Sequence, residues 1–142
     1  MAVREAQASW QGNLQDGKGT VRLGSGMFEG NFSFRSRFED GPGTNPEELL
    51  GAALAGCYSM ALTNALTEAG HQPRRVQARA QVTFQPVGGV PTISHIHLIC
   101  EAEVTGIEAA AFERMANETE KACPVGRALA AVDITVEAKL VA

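Results

Sequence analysis

Thr44-Asn45-Pro46-Glu47-Glu48-Leu49-Leu50-Gly51-Ala52-Ala53-Leu54-Ala55-Gly56-Cys57-Tyr58-Ser59-Met60-Ala61-Leu62 is the stretch on which the reading of this chain turns. Asn45 offers a side-chain oxygen at an N-cap, and Pro46 suits the first helical position. Glu47 and Glu48 complement the positive end of the helix dipole. The helix opened there is expected to run to about Ala69 and to stop at Gly70. Between Leu49 and Leu62 it carries no charge and is apolar or small on every side, the composition of a helix enclosed by protein all round. A chain of 142 residues has little material for that enclosure. A homodimer is therefore expected, with a second copy covering part of the helix.

Outward from this helix the hydrophobic period changes to two. Val76, Ala78, Ala80, Val82 and Phe84 alternate with polar residues, and Ile96, Leu98, Cys100, Ala102 and Val104 share one face of a second strand. Pro86-Val87-Gly88-Gly89-Val90-Pro91 between them predicts a hairpin turn. An amphipathic helix is expected over 108–122, with Phe112, Met115, Ala116 and Thr119 on its apolar face. A short helix after Cys123-Pro124 and a strand over 132–140 follow. Upstream, three short strands are expected at 6–10, 20–23 and 32–38. This order argues for an α+β fold, antiparallel sheet covering long central helices, as a single domain over residues 1–142.

The bulk composition narrows the function. Twelve basic and 16 acidic residues are scattered along the chain for a net charge of −4, so no basic stripe favours nucleic acid or an anionic membrane. The first ten residues carry Arg4 and Glu5 where a signal peptide needs an apolar stretch. No apolar run is read as reaching the roughly 18 residues of a membrane span. The expected location is the cytoplasm. There, three sparse cysteines are packing residues, metal ligands or catalytic thiols rather than a disulfide framework.

Each cysteine has its own setting. Cys100 lies on the inward face of a well-patterned strand and reads as a small core residue. Cys57 is mid-helix, where the macrodipole has faded. Lowering its pKa toward that of a working nucleophile takes a partner from elsewhere in the fold. Cys123 precedes Pro124 at an N-cap-like position, which leaves it open between a plain cap and a reactive thiol. His95 and His97 sit on the polar face of their strand, beside Glu101 and Glu103, and no cysteine has zinc-type spacing to another ligand.

The stretch from Gly43 to Ala53, continued by Ala55-Gly56-Cys57-Tyr58-Ser59-Met60-Ala61, resembles the signature of the OsmC/Ohr family, the osmotically inducible protein C and organic hydroperoxide resistance proteins. Cys123-Pro124-Val125, Arg37-Phe38-Glu39, Ala8-Ser9-Trp10-Gln11-Gly12 and Gly17-Lys18-Gly19-Thr20-Val21 extend the likeness almost end to end. The position of Arg37 is similar to that in the OsmC branch. The resemblance implies an intertwined homodimer with active sites at the subunit interface. It implies a peroxidase that reduces organic hydroperoxides, and hydrogen peroxide less well, in oxidative or osmotic stress defence, without metal or flavin. It further implies Cys57 as the peroxidatic residue, Cys123 as the resolving one through a Cys57–Cys123 disulfide, and Arg37 with Glu47 as the activating pair. An external dithiol such as a dihydrolipoyl group would restore the thiols.

Arg37 is always charged and suited to holding a thiolate, and a glutamate can fix it by a bidentate contact. Glu47 and Cys57 are ten residues apart, about 15 Å along a continuous helix. Either the helix breaks near its start, or Arg37 and Glu47 reach the Cys57 of a second subunit, which is the reading favoured here. The helix start leaves Glu48 open as the arginine's partner. The alternatives to a peroxidase are a non-catalytic dimer binding a small apolar ligand and a thiol redox sensor.

Overall fold

The computed structural model describes residues 1–141 and divides into two compact units, Met1–Leu49 and Leu50–Ala142. In the first unit β1 (Ala6–Gln11), β2 (Lys18–Leu23) and β3 (Glu29–Phe32) form an antiparallel sheet in that order. The rings of Trp10 and Phe32 lie 5.5 Å apart across it. Gly19 lies between them, and a Cβ there would come within 2.5 Å of Phe32 and 2.7 Å of Trp10, so only glycine lets the rings meet.

Two of the upstream expectations stand, and the third strand is corrected. It is confined to 29–32, and Phe34–Phe38 is a short helix, α1, which carries Arg37. Aromatic residues mimic a strand signal here, but Ser33 and Ser36 decide the matter. Ser33 Oγ accepts from the Ser36 amide at 3.1 Å while the Ser33 amide donates to Ser36 Oγ at 2.8 Å. This reciprocal capping satisfies two amides that a helix start would otherwise leave open.

Helix α2 (Pro46–Glu68) is unbroken, and Asn45 caps it by accepting from the Glu48 amide at 2.7 Å. Its apolar residues are not enclosed on all sides. Leu54, Tyr58, Leu62 and Leu66 are fully buried, whereas Ala52, Ala53, Gly56, Met60, Thr63 and Asn64 are exposed. At 23 residues, α2 also has the length and composition of a membrane span, contrary to the sequence reading. Its small residues keep it apolar although Tyr58, Ser59, Thr63 and Asn64 interrupt it. Its buried face joins the core of the second unit, as in a helix packed on its own sheet.

The second unit pairs β4 (Arg75–Val87) with β5 (Val90–Glu103) as the expected hairpin, closed by Gly88 and Gly89 at φ of 59° and 81°. Two positive φ values in a two-residue turn match the right-handed twist of the strands. Helices α3 (Ala109–Ala122) and α4 (Pro124–Ala128) then lead to β6 (Asp133–Val141). Here the antiparallel expectation fails in one pair, because β6 lies parallel to β5. Two helices between consecutive strands carry the chain back to the strand's starting end, as a parallel pair requires. The inner face of this sheet, with Ile96, Leu98, Cys100 and Ala102 fully buried, joins Phe112 and Ala116 of α3 in the core.

Candidate active site

Cys57 and Cys123, 66 residues apart in sequence, meet in the second unit with their side chains in hydrogen-bonding contact. Cys57 is half-buried and Cys123 is 1% exposed; both are free thiols. Cys123 is the N-cap of α4, where its Sγ accepts from the Gly126 amide at 3.2 Å. The Val125 amide, from the same turn, points at Cys57 Sγ at 3.5 Å. Two amides of one helix start thus serve two sulfurs.

Cys57 stands mid-helix in α2. Its own helix offers no free amide there, and the start of α4 supplies one from across the core. Pro124 was the sequence signal for that start, though nothing in the sequence aimed it at Cys57. Gly126 completes the corner, since a Cβ there would meet Cys123 Sγ at 3.2 Å and the Glu120 carbonyl at 2.3 Å.

The cap does not make Cys123 acidic. Burial raises its pKa and outweighs the Gly126 amide, and the contact with Cys57 raises it further. The buried sulfur therefore keeps its proton and the more accessible one is left as the acceptor. Such an arrangement suits a half-buried nucleophile backed by a protonated second thiol.

In the first unit, Arg37 and Glu47 come together as expected. Arg37 Nε and Nη2 donate to Glu47 Oε1 at 3.1 and 2.9 Å, two nitrogens on one oxygen rather than a fork on both. Glu48 is engaged locally, its Oε2 accepting from Thr44 Oγ1 at 2.8 Å. The pair is set by the α1–α2 corner: Ser36 Oγ donates to the Thr44 carbonyl at 2.7 Å, and Asn45 Nδ2 donates to the Ser36 carbonyl at 3.0 Å. Glu47 is 5% exposed, and its Oε2 is buried with no hydrogen-bond donor.

Cys100 keeps its structural reading. It is fully buried, hydrogen-bonds with Tyr58, and burial pushes its pKa up to about 11. His95 Nε2 and His97 Nδ1 converge on Thr135 Oγ1 at 3.0 and 2.7 Å, while His95 Nδ1 meets Asp133 at 3.0 Å. Among the described residues no three His, Cys, Asp or Glu side chains are grouped to hold a metal ion.

The family model for OsmC-like proteins matches residues 39–137, which include Glu47, Cys57 and Cys123. The chain is 41% identical over 138 residues to the peroxiredoxin OsmC of Escherichia coli, covering 96% of each chain. Among solved structures it is similar to a putative redox protein from Lactobacillus casei, with 25% identity, a TM-score of 0.71, and coverage of 99% of this chain and 94% of that one. The organic hydroperoxide resistance protein OhrB of Bacillus subtilis shares the fold at 20% identity and a TM-score of 0.71, with 95% and 98% covered.

Proposed function

This chain belongs to the OsmC family, and from that premise we propose that it is a two-cysteine peroxidase reducing organic hydroperoxides, with hydrogen peroxide a poorer substrate. The observation that carries the reading is the contact between Cys57 and Cys123, two thiols far apart in sequence sharing the amides of one helix start. Cys57 attacks the terminal peroxide oxygen; the O–O bond breaks, an alcohol leaves, and Cys57 becomes a sulfenic acid. Cys123 then bonds to the Cys57 sulfur, and hydroxide departs with the Cys123 proton as water. An external dithiol, of which a dihydrolipoyl group is one example, reduces the disulfide. No step in this cycle calls for a metal or flavin.

Arg37, fixed by Glu47, is assigned to holding the Cys57 thiolate and orienting the peroxide. Glu47 and Cys57 stand ten positions apart on one unbroken helix, which supports service to the Cys57 of a second copy. The exposed Ala52, Gly56 and Met60 face of α2 supports a homodimer on the same ground, with each chain working as one domain over residues 1–142. The packing of Cys57 against the hydrophobic core supports a preference for alkyl peroxides. A role in oxidative or osmotic stress defence in the cytoplasm completes the proposal.

A single-turnover assay tests it. Reduced protein given one equivalent of cumene hydroperoxide should lose two thiols and yield a Cys57–Cys123 peptide by mass mapping. Survival of all three thiols with the peroxide intact would refute the peroxidase and favour a ligand-binding dimer.

A further inference from the structure

Tyr58 is the only tyrosine in the chain, follows Cys57 directly and is fully buried, yet no step above uses it. Its hydroxyl donates to the Ala116 carbonyl at 2.9 Å, joining α2 to α3. A phenol has one proton, and Ala116 takes it, while the Cys100 sulfur on β5 lies in hydrogen-bonding contact with the same hydroxyl. One hydroxyl thereby ties two helices and the sheet. Burial, reinforced by nearby Cys100, pushes the phenol well above its usual range, which keeps it a neutral donor.

The remaining buried face of α3 is Phe112, Ala116 and Thr119. Apolar contact is non-directional, whereas a hydrogen bond fixes a position along the helix axis. Cys123 lies seven residues beyond Ala116, about 10 Å of helix rise. A slide of α3 by a single residue's rise would carry Cys123 about 1.5 Å along Cys57. A disulfide tolerates little of that, since its S–S bond is about 2 Å and its Cβ atoms must lie about 3.5–4.5 Å apart.

We propose that Tyr58 is a positioning residue for the resolving step, its bond to Ala116 holding α3 where Cys123 meets oxidised Cys57. This rests on the peroxidase reading. Two fates compete for the Cys57 sulfenic acid. In one, Cys123 displaces hydroxide, which leaves with the thiol proton as water. In the other, a second hydroperoxide transfers an oxygen to the sulfur, giving sulfinic acid and another alcohol. Tyr58 favours the first.

The test gives wild type, Tyr58→Phe, Cys123→Ser and the double variant rising equivalents of cumene hydroperoxide and weighs the Cys57 products by mass. Tyr58→Phe should raise the sulfinic-to-disulfide ratio about three- to tenfold, the scale of one lost hydrogen bond. First-turnover peroxide loss should be unchanged, and in the Cys123→Ser background Tyr58→Phe should add no sulfinic acid. A wild-type ratio in folded Tyr58→Phe, or extra sulfinic acid without Cys123, overturns the inference. Biosynthetic 3-fluorotyrosine labels Tyr58 alone and does not depend on how the variant folds. One sharp fluorine line is expected in the reduced protein, and several exchanging lines would overturn a fixed hydroxyl. If wild type forms no disulfide, the peroxidase reading itself fails, which separates the two failures.

Discussion

At the corner between α2 and α4 each sulfur has a donor from this chain, Val125 for Cys57 and Gly126 for Cys123. At the start of α2, Glu47 Oε1 receives two N–H bonds from Arg37 while the buried Oε2 receives none. A buried carboxylate oxygen without a donor costs about 1–3 kcal/mol or more. The thiol corner is finished within one chain, and the Glu47 carboxylate is not. On the proposed reading this difference has a meaning: the thiols hold their own geometry, whereas Glu47 Oε2 is open to a donor that a second copy or a substrate brings.

The sharpest way to break the comparison is at the finished corner. Cys57→Ser should reduce peroxide turnover to the uncatalysed rate, read as cumene hydroperoxide consumption with a dithiol, and leave the Arg37–Glu47 pair intact. Turnover that survived this change would move the chemistry away from the corner altogether.

Next comes the Arg37–Glu47 pair. Arg37→Ala should cost about a hundredfold in kcat/KM, as loss of a preorganised charged donor does. Mixing Arg37→Ala with Cys57→Ser chains should restore activity, because one heterodimer site then combines an intact arginine with an intact cysteine. No recovery, with heterodimers shown by mass, would mean that the pair serves its own chain or neither.

Cys100 sharpens the contrast from inside the core. Its folded pKa of about 11 lies above the ordinary thiol value of 9.0. Between those values the unfolded chain has lost a proton that the folded chain still holds. The stability from this burial is whole below pH 9 and declines as pH rises through 11, by roughly 3 kcal/mol in all. Urea unfolding of wild type and Cys100→Ala across that range should show the steeper decline in wild type. Parallel declines would remove Cys100 as the cause.

What was legible in the sequence follows from the range of the forces involved. The β4–β5 hairpin, the Asn45 cap and the Cys123-Pro124 helix start are local chemistry, and the structure has all three. The amide of Val125 on Cys57 joins residues 68 apart, and no local pattern encodes that aim. Choosing Glu47 over Glu48 required knowing where Thr44 points. The parallel β5–β6 pair depends on how two helices return the chain, again a non-local fact. Over 34–38 local chemistry was available and was outweighed by aromatic composition, although Ser33 and Ser36 stood three apart.

That overlooked cap gives the smallest and most discriminating test. Ser33→Ala removes the oxygen that accepts from the Ser36 amide, and losing an N-cap costs about 1 kcal/mol. Melting should fall by roughly 3 °C for a chain of this length. The consequence for the comparison is directional. Helix α1 carries Arg37, whereas the thiol corner owes nothing to Ser33. Ser33→Ala should therefore lower the rate of Cys57 oxidation by peroxide while leaving unchanged the fraction of oxidised Cys57 that ends as disulfide with Cys123. If both fall together, the two regions are coupled more tightly than their separate hydrogen bonds require, and the ion pair cannot be treated as a module added to a self-sufficient pair of thiols.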